Sequence, residues 1–317
     1  MTTLLADQAF TAYSDRFDAV LGPDPQLTLL VEVDAHEGPV YFADEDALYF
    51  TSLPRPGVDG SPSVQIKRLE LASLRVSVVV ENANGANGMT ADRDGRLIVC
   101  EQGNRSEPAR ITRLDRVCGE RETVVEEWHG LRFNSPNDVV VAADGAIWFT
   151  DPSYGHLQGF RPPPMVGDYV YRHEPATGQT TVVADGFDKP NGIAFSPDER
   201  TLYVTDSGAN QEPGSYYVAR PHRITAFDVV HGRRLAGERL FAVVSPGFPD
   251  GLKVDSAGRV YASSFSGVRV FDPDGELLGE IHVPGAVNFC FGGAERALLL
   301  ITTDAAVWAA ALAAKGA

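Results

Sequence analysis

Six polar residues recur in one local setting along this 317-residue chain: Glu37, Asn87, Asn137, Asn191, Asp250 and Asn288. The first five stand beside Gly, Pro or Asp, and each of the six opens a short apolar run, at separations of 50, 50, 54, 59 and 38 residues. A single Asn in such a place serves a turn equally well, because it tolerates left-handed backbone and caps its own chain. Six in register around one axis need a shared partner, because a convergent polar cluster is otherwise costly to desolvate. The anchors offer carboxylate and amide oxygens and no His or Cys, the ligands that zinc and copper prefer. Calcium takes about six to eight oxygens in flexible geometry, so Ca2+ is the expected partner, with Mg2+ second because it demands a tighter octahedron. The two carboxylates, Glu37 and Asp250, balance one divalent charge.

The elements that must position these anchors repeat with them. After each anchor come two short apolar strands around a turn such as Asp94-Gly95, Asp144-Gly145 or Ser256-Ala257-Gly258, which are hairpin signals. The second strand ends in Thr, Ser, Asp or Glu, as in AIWFTD from Ala146 and TLYVTD from Thr201. Two more strands usually follow. Four short antiparallel strands per ~50 residues, six times over, predict an all-β, six-bladed β-propeller. The Gly-His and Trp-Asp signatures of WD40 repeats do not recur. The last repeat lacks a fourth strand. Residues 27–33, LTLLVEV, have no hairpin partner, and are expected to supply that strand and close the ring, removing two sheet edges. Residues 1–26 are read as an extension packed on the propeller, with a short helix near residues 4–10, and residues 27–317 as one domain.

Lys and Arg number 27 against 43 Asp and Glu, a net charge of −16. That argues against nucleic acid, whose binders need a basic face, and against anionic membrane surfaces. No apolar run approaches the ~18 residues of a membrane span. The N-terminal stretch lacks the basic and apolar regions of a secretory signal. Three well-separated cysteines make neither a disulfide framework nor a zinc site, so a reducing cytoplasm is the expected compartment. No GxSxG, HExxH or P-loop pattern suggests another chemistry.

The stretches HEGPV from His36, NSPNDVV from Asn134, FTDPSYG from Phe149, KPNG from Lys189, FPDG from Phe248 and NFCFGG from Asn288 resemble the SMP-30/gluconolactonase/LRE family of six-bladed propellers. The likeness spans roughly residues 15–310 and is strongest to the bacterial gluconolactonase branch. It implies a calcium held by Glu37, Asn137, Asn191 and Asp250, in agreement with the oxygen-donor argument. One departure stands in the second repeat, where the family pattern CEHGNR reads Cys100-Glu101-Gln102-Gly103-Asn104-Arg105, with Gln102 in place of His.

The resemblance implies a hydrolase that opens a sugar-type lactone, with the metal polarising the carbonyl. Asp250 is the expected base or nucleophile. It is followed by Gly251, read as room for substrate, and Glu37 is left to ligation. Substrate contacts are expected from Asn87, Arg132, Asp151, Tyr154, His156 and Asn288, with pocket walls from the loops after Asp151 and after Ser207. A phosphotriesterase or arylesterase on the same platform, and a non-catalytic calcium-binding propeller with an occluded channel, are the alternatives.

Overall fold

The apolar runs pair as their turns dictate, and outer strands follow until four lie side by side. In the computed structural model, which describes residues 2–4, 6–57 and 60–317, this happens six times. The first blade comprises Val40–Phe42, Ala47–Thr51, Ile66–Glu70 and Arg75–Val80. The second comprises Ala86–Ala91, Leu97–Glu101, Arg110–Leu114 and Arg121–Val125. The third is Val139–Val141, Ile147–Asp151, Tyr169–Glu174 and Gln179–Ala184. Pro190–Phe195, Thr201–Asp206, Arg223–Val230 and Arg234–Val243 form the fourth. The fifth is Leu252–Val254, Val260–Ser263, Val268–Phe271 and Leu277–Ile281. The first strand of each blade is innermost. These strands touch one another in order, and that of the sixth blade, Ala286–Gly292, returns to that of the first.

The sixth blade continues with Leu298–Thr303 and Ala306–Ala311, and its fourth strand comes from the other end of the chain. Gln26–Glu32 pairs antiparallel with Ala306–Ala311, setting Leu27 opposite Ala310 and Thr28 opposite Ala309. The preceding stretch adds two strands that the sequence pattern did not reveal. Thr2–Leu4 pairs with Gln26–Glu32, and Phe10–Ala12 extends the fifth blade along Leu277–Ile281. Ala6–Ala9 forms one helical turn within the stretch where a short helix was expected. Residues 1 and 5 of that stretch lie outside the described residues. Phe17 is fully buried over Gly279, where a Cβ would come within 2.4 Å of its ring.

Each of six apolar clusters fills the seam between two neighbouring blades. One joins Tyr49 and Val40 of blade one to Val99 and Leu97 of blade two. Another joins Phe149 and Tyr171 of blade three to Ile98 and Ile111 of blade two. This explains why second strands read as unbroken apolar runs. Leu97–Glu101 and Ile147–Asp151 are buried at every position, because blades cover both faces. Outer strands such as Arg75–Val80 meet solvent and are mixed. The hairpin turns rely on glycine at positive φ, +77° at Gly95 and +87° at Gly145, where a side chain would be strained. Among the described residues no helix is long and apolar enough to cross a membrane, and all three cysteines are unpaired.

Leu27 is fully buried among Phe289, Leu299 and Ala310. Leu27→Ala is therefore expected to lose about 2–5 kcal/mol in urea unfolding. Deleting residues 1–32 would bare the apolar Ala306–Ala311 edge, which templates aggregation, so the truncated chain is expected in the insoluble fraction. A soluble truncated monomer with the full-length melting temperature contradicts the role given to this strand.

Candidate active site

The anchors open the innermost strands at one end of the channel, and the residue after four of them is glycine. A Cβ on Gly38 would stand 2.6 Å from the Asn87 carbonyl oxygen; on Gly88, 2.4 Å from that of Asn137. One on Gly192 would stand 2.3 Å from the Asp250 carbonyl oxygen, and one on Gly251 2.5 Å from Asn288 Oδ1. Any side chain here would push the next anchor away from the axis. Gly251 therefore makes room for the neighbouring blade, not for substrate as its sequence position suggested. Hydroxyls near the ends of second strands complete the arrangement. Thr150 Oγ1 donates to the Asn191 carbonyl at 2.8 Å, Thr205 Oγ1 to that of Asp250 at 3.2 Å and Thr302 Oγ1 to that of His36 at 2.7 Å. Each is a buried or part-buried bond from one blade to the next, worth about 1 kcal/mol net, and together they explain the recurrent Thr.

A cavity of about 560 Å³ opens over this ring. Glu37, Asn87, Asn137, Asn191 and Asp250 form its floor with Tyr154. Glu37 is 3% exposed and accepts from Asn288 Nδ2 at 2.7 Å. The Asp250 backbone N–H donates to Ser263 Oγ at 2.9 Å, and Asp250 as a residue is half-buried. Asn191 supports the Asp250 carboxylate and the Tyr154 hydroxyl. Among the described residues the buried amide oxygens of Asn87 and Asn137 have no hydrogen-bond partner. One wall is aromatic: Phe265 packs on Phe248 at 5.3 Å and on Tyr216 at 5.1 Å between ring centres. A larger trough, about 860 Å³, runs past Trp128 between the outer strands of blades two and three, but no anchor reaches it.

The floor is electrostatically unbalanced. Burial raises both Glu37 and Asp250 above the ordinary carboxylate range; Asp250 raises Glu37 further, and buried Asp138 below adds to both. Burial and the nearby Asp250 charge hold the Tyr154 phenol neutral, well above its usual value. Among the described residues no group of three or more His, Cys, Asp or Glu side chains is placed to hold an ion. The floor instead combines two carboxylates with amide oxygens, two of them unpartnered. That donor set suits a hard cation: it supplies oxygens that lack a donor and charge that lacks a counter-charge.

The four expected metal ligands, Glu37, Asn137, Asn191 and Asp250, thus lie together, and Asn87 and Tyr154 join them. Asn288 is buried behind Glu37 and faces it rather than the cavity. Three other expected contacts are corrected. Asp151 is wholly buried, and its two oxygens accept from the Asn134 and Ser135 backbone N–H groups at 2.9 and 2.8 Å. Arg132 is half exposed, paired with Glu126 at 3.2 Å, beside a separate depression. His156 points to solvent on the turn Tyr154–Leu157. The imidazole at the cavity is His36, whose Nδ1 lies 2.8 Å from Asp304 Oδ1. Burial lowers its pKa, but Asp304 and Glu37 outweigh that and hold it above the ordinary value. Its position directly before Glu37 was the available signal. Gln102 also lines the cavity.

Residues 35–305 match the family described as SMP-30/Gluconolactonase/LRE-like region. The chain is 31% identical to a gluconolactonase of Zymomonas mobilis, across 92% of this chain and 82% of the relative. It is 29% identical to the pentonolactonase XacC of Haloferax volcanii, across 84% of this chain and 80% of that one. A solved gluconolactonase structure from Xanthomonas campestris superposes with a TM-score of 0.82 at 36% identity, covering 98% of each chain. The shared six-bladed architecture and the match along nearly the whole ring agree: the chain belongs to the SMP-30/gluconolactonase/LRE-like family.

Proposed function

We propose that this chain is a calcium-dependent lactonase acting on sugar-type lactones, with its active site on the floor of the 560 Å³ cavity. The observation that carries the reading is the pair of carboxylates, Glu37 buried and Asp250 half-buried, beside unpartnered amide oxygens. Lactone hydrolysis by the Zymomonas and Haloferax relatives, as their names state it, supports the substrate class. Glu37, Asn137, Asn191 and Asp250 would hold the ion, with Asn87 beside them. When bound, a calcium ion supplies Lewis-acid polarisation of the ester carbonyl and stabilises the negative charge that develops on its oxygen.

The chain's own groups divide the remaining work. Glu37 is enclosed and receives the Asn288 amide, so it serves as a fixed ligand. Asp250, half-buried where Glu37 is enclosed, takes the role of base or nucleophile. Tyr154, kept neutral, presents a hydroxyl near Asn191 and Asp250. The aromatic wall of Phe248, Phe265 and Tyr216 covers one side of the substrate and excludes water there. The 560 Å³ cavity over the anchors counts against an occluded channel, the mark expected of a purely binding propeller. A phosphoryl oxygen would suit the same oxygen-lined floor, so an arylester and phosphotriester panel belongs beside the lactones.

The purified chain is expected to carry about one calcium per molecule, and lactone opening, followed by acid release, should vanish in chelator and return with calcium. Zinc in elemental analysis, or chelator-resistant turnover, contradicts the reading. Asp250→Asn keeps shape and an oxygen ligand but removes the basic site. Its rate should fall at least about 10²-fold and stay low at saturating calcium. Asn137→Ala and Asn191→Ala should recover as calcium is raised, because mass action offsets weakened binding. Full recovery of Asp250→Asn with calcium would reduce Asp250 to a ligand.

A further inference from the structure

The residue after Asn137 is not glycine but Asp138, and its buried carboxylate lies below the ring. Its oxygens accept from the backbone N–H groups of Val139 at 2.9 Å and Ile193 at 3.3 Å. Lys253, on the innermost strand of blade five, lines a second cavity of about 410 Å³ along the same channel. Its Nζ stands 4.0 Å from Asp138 Oδ2 and donates to the Leu252 carbonyl at 2.9 Å and to Asn288 Oδ1 at 3.4 Å. Asn288 Oδ1 also accepts from the Phe289 N–H at 2.8 Å. With that oxygen committed downward, the Asn288 amide nitrogen is left to face Glu37.

The floor and the channel beneath it therefore hold three carboxylates, Glu37, Asp138 and Asp250, against one ammonium, with His36 paired to Asp304. We propose that Lys253 is a positioning residue that sets the charge of the ion site: it cancels Asp138, leaves two negative charges for a divalent cation, and turns Asn288 onto Glu37. The inference rests on reading the floor as a calcium site. Its specific content is that one lysine outside the ligand set chooses between ion charges. An added unpaired negative charge attracts a trivalent ion more than a divalent one, in proportion to their charges.

The test compares Ca2+ binding by calorimetry with Tb3+ binding by luminescence on the full, chelator-stripped chain. Lys253→Met should raise the ratio of Tb3+ to Ca2+ affinity at least about tenfold. Asp138→Asn should lower it. The double variant, which restores the net charge, should return to within about threefold of wild type, and Lys253→Arg should stay there. A merely structural lysine predicts weaker binding of both ions and no restoration in the double variant. An unchanged ratio in Lys253→Met, or a double variant that fails to restore it, overturns the proposal. Asp138→Asn tests the same charge balance from the opposite side if Lys253→Met does not fold. A wild-type chain that binds neither ion removes the calcium reading itself, an outcome distinct from either of these.

Discussion

Everything at the site depends on how closely neighbouring inner strands approach the axis. The backbone of one blade lies against the anchor of the next, with no room for a Cβ at Gly88, Gly192 or Gly251. The Gly88 N–H donates directly to the Asn137 carbonyl at 2.7 Å, and the Gly251 N–H to that of Val287 at 3.0 Å. The seams of packed apolar side chains bring the blades together. The glycines and the threonine hydroxyls decide how near the polar tips come. A floor built this way places donors from several distant parts of the chain without long, flexible side chains, so little conformational entropy is lost in ordering them.

That closeness has an electrostatic price. Two carboxylates sit in a place that water scarcely reaches, and a third lies just below. Buried like charges are tolerated where a counter-charge or hydrogen bonds compensate. Here Asn191, Asn288 and Lys253 compensate in part, and burial together with the neighbouring carboxylates still holds Glu37 and Asp250 above the ordinary carboxylate pKa range. The calcium proposal draws on the same imbalance, so one physical fact bears on both stability and the proposed chemistry.

The periodic parts of the molecule were legible in the sequence. Recurrent anchors, Asp-Gly turns and apolar strand pairs repeat six times, and repetition separates signal from chance. That register marked the six anchors, and the family resemblance picked the four proposed ligands among them. What repetition does not encode was read poorly. Asp151 has a catalytic residue type in a loop-forming stretch, but its carboxylate is consumed by two backbone N–H groups, as Asp206 is in the next blade. Arg132 and His156 lie on loops whose direction no periodic pattern fixes. His36 went unnoticed because its partner, Asp304, is 268 residues away. The strands Thr2–Leu4 and Phe10–Ala12 are too short to announce themselves, since each borrows its pairing from a blade built elsewhere.

The pairing of Gln26–Glu32 with Ala306–Ala311 also sets an order of events in time. During synthesis Gln26–Glu32 must wait for Ala306–Ala311, the last strand of the sixth blade, before it can pair. Blades one to four can assemble from neighbouring sequence, as local contacts form early and distant ones late. The contact between Asn288 and Glu37 cannot form until that final blade has been made. Half-made chains therefore carry the anchors of the early blades without the finished floor. The polar floor is a signature of completed folding, and any property that requires it begins only when the whole ring exists.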